Sequence, residues 1–243
     1  MMETFWKTIG LYNLSTWIYQ LIIIFAGFAL TALLIWKPGK RSTAAMKVYL
    51  VILYLWIAIV YFWIYCAERS YNNVMTIFWL VLSLAWIWDL ATGYTVFKFD
   101  KSHAKLAGLL LLMPFLYPAA SLARGFGFPE MISPIMPCSA VVFTFGIMLM
   151  FSRKINLFIV LLLCHWSMIG LSKTYFFNLP EDYIMTCASV PAVYFFFKEY
   201  FLRGINTITK PQAKYMELFL LTICIAVCVI LAVTMCIEVA KGI

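Results

Sequence analysis

The sequence predicts an all-α fold, a single polytopic integral membrane domain over residues 1–243 that crosses a bilayer repeatedly. Three observations predict it. Apolar residues make up 65% of the chain and charged residues only 12%, about half the charged share of a soluble domain. Uncharged runs of about twenty residues, the length that crosses a hydrocarbon core, recur from end to end and leave no stretch for a soluble domain. These runs are too long and too evenly apolar for the alternating strands of a barrel, so helices must satisfy the backbone within lipid.

Windows of about nineteen residues place eight transmembrane helices. They fall near residues 15–36, 46–66, 74–97, 104–121, 138–152, 155–176, 182–198 and 216–238, with seven the other count the pattern allows. The first follows a polar-aromatic start, METFWKTIGLYNLSTW, with no small-residue cleavage site, so it reads as a retained helix rather than a signal peptide. The second ends in YCAERSYNN, and the third carries WIWDLATGY. Pro114 and Pro118 interrupt the fourth, and Pro191 the seventh. Between the last two helices, residues 201–216 form a basic link suited to the anionic inner surface of a membrane. No internal repeat is evident, so the inverted-repeat pattern of many secondary transporters is not seen.

Orientation follows from Lys and Arg. The connectors after the first, third, fifth and seventh helices hold thirteen of them, among them Lys37, Lys40, Arg41, Lys47, Lys98, Arg153 and Lys154, against five on the other side. This places both termini outside the cytoplasm of a bacterial inner membrane. The same asymmetry accounts for the net charge of +8 without a nucleic-acid partner.

The fifth helix is short: from Cys138 to Ser152 it rises about 22 Å, against about 30 Å of hydrocarbon. The preceding GFGFPEMISPIMP is apolar enough to sink, which predicts a re-entrant loop over residues 126–137 with Cys138 recessed at a helix N-terminus. A proline-rich surface loop, with Ser139 as N-cap and a locally thinned bilayer, is the other reading.

Candidate site residues divide by depth. Asp89 and His165 lie within helices, where an ionisable group is expensive and a candidate for function; Asp89 could instead reach a loop lysine such as Lys98. Glu68 and Arg69, and Glu181 and Asp182, lie at the outer helix ends, where they could meet a polar solute or simply be wet. Seven cysteines form no C-x-x-C pair, and with only two histidines no metal site and no cofactor is predicted. Cys66 closes the second helix on the same side as Cys138, so a disulfide between them is one outcome to test.

The run Pro137, Cys138, Ser139, Phe143, Thr144, Phe145, Gly146 has the form P-C-S/T-x-x-x-F-T-F-G. With LYNLSTWIYQ, WSMIG and LPED it resembles a bacterial family of polytopic membrane proteins catalogued only as a domain of unknown function, over about residues 11–195. That resemblance implies a multi-pass inner-membrane protein and carries no catalytic residues across. Three functions stay open. A small-solute permease or channel draws on the proline-broken helices and the re-entrant loop. A thiol-dependent membrane enzyme or redox protein would rest on Cys138, and a scaffold or assembly subunit needs neither. The partners expected are the lipid bilayer and a small polar solute; oligomeric state is left open.

Overall fold

A computed structural model describes residues 2–69, 72–99, 104–154 and 156–176, with Asp182, Ile184 and Met185 besides. The eighth expected helix, the link 201–216 and, apart from those three residues, the seventh helix lie outside the described residues. What is described is helical, with one short strand pair.

Helix α1 spans Met2–Trp36, starting well before residue 15. Its threonines survive in apolar company because Thr8, Thr16 and Thr31 donate to carbonyls one turn back, those of Thr4, Tyr12 and Gly27. Helix α2, Lys40–Leu55, is started by Ser42, whose hydroxyl accepts the Gly39 N–H at 2.9 Å. It runs on as a π-helix over Trp56–Tyr65, closed by the Cys66 N–H on the Tyr61 carbonyl at 3.0 Å. Hydropathy carries no sign of this wider turn.

Helix α3 is Asn72–Thr92, shorter than the span predicted to residue 97. Gly93, at φ +63°, ends it, and Val96–Phe97 instead forms strand β1. Helix α4, Ala104–Leu112, gives way to a 3-10 turn at Met113–Phe115 and resumes as α5, Leu116–Ala123. Pro114 lacks the N–H that would have continued the ladder, as the sequence predicts. Helix α6, Pro137–Phe151, leads into β2, Ser152–Lys154, which pairs antiparallel with β1. Helix α7 is Leu157–Phe176. Four of these segments are long and apolar enough to cross a membrane: Thr4–Trp36, Lys40–Tyr65, Asn72–Thr92 and Ala104–Ala123.

The shortness of α6 has a packing explanation. Every residue of α6 except Phe143 is buried, so it is the central helix of the bundle. An element enclosed on all sides is apolar all round, which is why its sequence has no polar face. Outer helices differ: α1 leaves Leu14, Ile18, Leu21 and Phe25 exposed. Gly146 lets α4 approach, since a Cβ there would stand 3.0 Å from the Leu111 backbone nitrogen. Trp79 of α3 joins α2 and α7 to this core, its ring 5.4 Å from Tyr54 and 4.7 Å from Trp166.

Cross-links define two ends of the bundle. At one, Trp6 stacks on Phe126 at 4.2 Å and Arg69 covers the Phe5 ring, bringing together the start of α1, the turn after α2 and the loop before α6. At the other, β1 meets β2 and Lys47 meets Asp89. The alternate connectors counted from the sequence therefore do gather at common ends among the described residues.

Candidate functional site

Among the described residues three places are candidates for polar chemistry, and two of them are closed. The first is the loop before α6. Ile132, Ser133, Ile135 and Met136 are buried, so its irregular backbone needs partners away from water. Helix α1 supplies them. Asn13 donates from Nδ2 to the carbonyls of Pro129 and Met131, at 2.7 and 2.8 Å. Gln20 donates from Nε2 to Asn13 Oδ1 at 3.2 Å and Thr16 Oγ1 at 2.8 Å, and its Oε1 accepts from the Ser133 hydroxyl. Ser133 Oγ in turn accepts the Ile135 N–H at 3.2 Å, and Ser139 donates to the Ser133 carbonyl at 3.2 Å. Ser139 is thus a strut to the loop and not the N-cap of the surface-loop reading: α6 starts at Pro137, and the Ser139 hydroxyl donates to a carbonyl where an N-cap would accept an N–H. The polar stripe Asn13, Thr16, Gln20 was visible in α1 as three polar residues on one face of an apolar helix.

The second place is Asp89. Its Oδ2 lies 2.7 Å from Lys47 Nζ, with both side chains buried. Lys47 donates also to the Asp89 carbonyl at 2.9 Å. The carboxylate accepts from the Thr95 N–H at 3.2 Å, the Thr95 hydroxyl at 2.8 Å and Asn156 Nδ2 at 3.1 Å. The expected reach to Lys98 is replaced by a lysine counted among the connector charges. Lys47 is inside α2, where the antiparallel packing of α2 on α3 sets it opposite Asp89.

The third place is a small half-open groove, with about 30 Å³ of room, between α1, α2, α4 and α6. Pro114 and Phe115 of the 3-10 turn, Pro134 and Ile135 of the loop, and Phe143 of α6 line it beside Tyr49. Phe28 and aliphatic side chains complete the lining. Tyr49 is 8% exposed, and among the described residues no hydrogen-bond partner meets its hydroxyl. Its position is fixed by Gly27, where a Cβ would stand 2.6 Å from the phenol oxygen.

The other sequence candidates scatter. Tyr61, which the sequence did not single out, hydrogen-bonds with Arg69 and lies within electrostatic reach of Cys66 and Cys138. Cys66 and Cys138 are both buried and both thiols, without the disulfide left to test. Glu68 is exposed. His165 is buried beside the Phe78 ring at 5.6 Å, and Asp182 is buried near Gly170. Glu181 lies outside the described residues. The motif residues serve α6: Thr144 shares a 2.6 Å hydrogen bond with the Tyr54 hydroxyl and donates to the Ala140 carbonyl, and Gly146 admits α4. Among the described residues no group of three or more His, Cys, Asp or Glu could hold a metal ion.

Among the described residues these features define a helical fold, one short strand pair aside, with several helices of membrane-crossing length and apolarity around a buried central one. The chain belongs to a family of unknown function, DUF6064, which it matches over residues 2–207. No curated protein and no solved structure matches it.

Proposed function

We propose that this protein is a multi-pass component of the bacterial inner membrane that passes a small solute along the groove beside α6, a permease-like role. One observation carries the reading. Each interrupted segment that lines the groove, the Pro114 break and the end of the loop at Pro134 and Ile135, meets it at the same place as the central helix. Irregular backbone at membrane depth is tolerated where protein or a cavity covers it, and in transporters such breaks line the path. The hydrogen bonds from Asn13, Gln20 and Ser139 support a re-entrant reading of residues 126–137, because they supply what water would otherwise supply.

The basic connectors favour a cytoplasmic position for the Lys47–Asp89 end. By chain position that end holds eight described lysines and arginines, Lys37, Lys40, Arg41, Lys47, Lys98, Lys105, Arg153 and Lys154, against four at the other, Lys7, Arg69, Arg124 and Lys173. The test uses cysteines introduced one at a time at Leu111, Ile135 and Val141, in membrane vesicles treated with N-ethylmaleimide. Labelling above the parent chain is expected at Leu111 and Ile135, which line the groove, and not at Val141, which is fully buried in α6. Three equally unreactive positions would overturn the reading.

A second reading, thiol chemistry at Cys138, draws on the burial of Cys138 and Cys66 within electrostatic reach of Tyr61 and Arg69. Reaction of the native thiols with a small membrane-impermeant reagent and not with a bulky one is its expected signature. Silence with both reagents, persisting after reduction, would leave Cys138 a packing residue.

A further inference from the structure

We propose that the turn between α1 and α2 is a headgroup site for an anionic glycerophospholipid, its phosphate met by Lys37, Lys40 and Arg41 and its chains lying along the exposed face of α1. The proposal rests on the multi-pass membrane placement above and is independent of the groove.

The depth of this turn is set by α1. Trp17 and Trp36 are both exposed, and the helical rise from one to the other is about 28 Å, against about 30 Å for a hydrocarbon core. Between them the exposed side chains include Ile18, Tyr19, Ile22, Phe25, Phe28 and Leu33, while the polar Gln20 and Thr31 are buried. Tryptophan at both limits of an apolar face is the pattern of a helix that meets both membrane interfaces. Trp36, 81% exposed, therefore lies at headgroup level.

Three cations follow at once. From Ile35 to Arg41 every residue is exposed, and Lys37, Lys40 and Arg41 stand within that run. The turn that carries them is fixed: the Ser42 hydroxyl accepts the Gly39 N–H at 2.9 Å and donates to the Lys37 carbonyl at 2.9 Å. Among the described residues no carboxylate answers the three charges. Glu3, Glu68, Glu130 and Asp182 belong to the opposite end by chain position, and Asp89 is taken by the buried Lys47. A phosphodiester supplies the missing charge, with the Arg41 fork suited to two of its oxygens and each lysine acting as a point charge. A zwitterionic headgroup brings an ammonium as well, which finds no described carboxylate to meet here. An acidic soluble partner would use the cations and leave Trp36 and the apolar face below it idle. Lipid is the occupant that uses both.

The test reconstitutes the full chain in phosphatidylcholine vesicles that hold a minor fraction of brominated lipid, and reads the quenching of tryptophan emission. Subtracting the signal of Trp36→Phe in each background isolates Trp36. Brominated phosphatidylglycerol should quench Trp36 as though enriched about fivefold over brominated phosphatidylcholine, the factor that one surface cation's attraction to anionic lipid gives. Lys37→Gln, Lys40→Gln and Arg41→Gln together should abolish that enrichment. Lys98→Gln with Lys105→Gln, at two cations exposed at the same end, should leave most of it. Sodium phosphate in place of sodium chloride at equal ionic strength should not displace the lipid. Equal quenching of Trp36 by the two lipids, an enrichment that survives the triple substitution, or an equal loss in the double one would each overturn the proposal. Displacement by inorganic phosphate would overturn it too, by assigning the cations to a free anion. If brominated phosphatidylcholine quenches Trp36 and phosphatidylglycerol has no advantage, the membrane placement stands and the headgroup site falls. If neither lipid reaches Trp36, both fall.

Discussion

At the end that holds Asn13 and Ser133 the bundle is closed by neutral amides and hydroxyls, whereas the end that holds Lys47 and Asp89 is closed on a buried ion pair. Both closures do the same structural job, tying a helix to the irregular chain packed against it. They differ in what happens when one member is lost. A neutral group leaves a dipole unmatched, while either half of the ion pair leaves a full charge in a site from which water is excluded. The charged end should therefore be the brittle one and the amide end the tolerant one, although the amide end makes more bonds.

The largest effect should come from Lys47→Met, which strands the Asp89 carboxylate with only the donors of Thr95 and Asn156. A loss of about 3–5 kcal/mol is expected, read from unfolding in mixed detergent micelles. Adding Asp89→Asn to it should restore a large part, because the amide removes the charge and keeps an acceptor for Thr95. If the double variant were no more stable than the single one, the charge argument would fail and the site would be held by shape.

Asn13→Ala should cost less, about 1–3 kcal/mol, by leaving the Pro129 and Met131 carbonyls without their donor. The loss should be local: proteolysis between residues 126 and 137 should quicken while Asp89 and its partners stay in place. A loss as large as that of Lys47→Met would erase the contrast between the two ends. Between them, Thr144→Val removes one hydrogen bond to Tyr54 in the central helix, with an expected cost of about 1 kcal/mol. It calibrates what a single neutral pair is worth in this interior.

Much of the helical frame was legible in the sequence. Six of the eight predicted spans coincide with described helices, and the break at Pro114 lies where the missing N–H requires it. Boundaries were less legible: Gly93 ends α3 before residue 97, and the apolar Val96 and Phe97 extend the hydropathy signal without extending the helix. The site was legible only in pieces. Asn13, Thr16 and Gln20 share one face of α1, a spacing the sequence carries but that was not singled out, whereas Tyr49 looks like any aromatic residue in an apolar run.

The sequence by itself determined that the described chain is helical, how its runs alternate with basic connectors, and that Pro114 breaks a helix, because composition, charge and a missing N–H act locally. Pro118, expected to break it too, lies within the first turn of α5. Only the tertiary structure decided that α6 is central, that Asp89 pairs with Lys47 rather than Lys98, and that Tyr49 faces a groove with Pro114 and Pro134. An apolar side chain packs against protein as readily as it faces hydrocarbon, so the hydrophobic pattern of such a helix does not say which of the two it meets. The choice falls to shape and to pairing: Gly146 and Gly27 admit close neighbours, and each buried polar group draws its partner from a distant part of the chain.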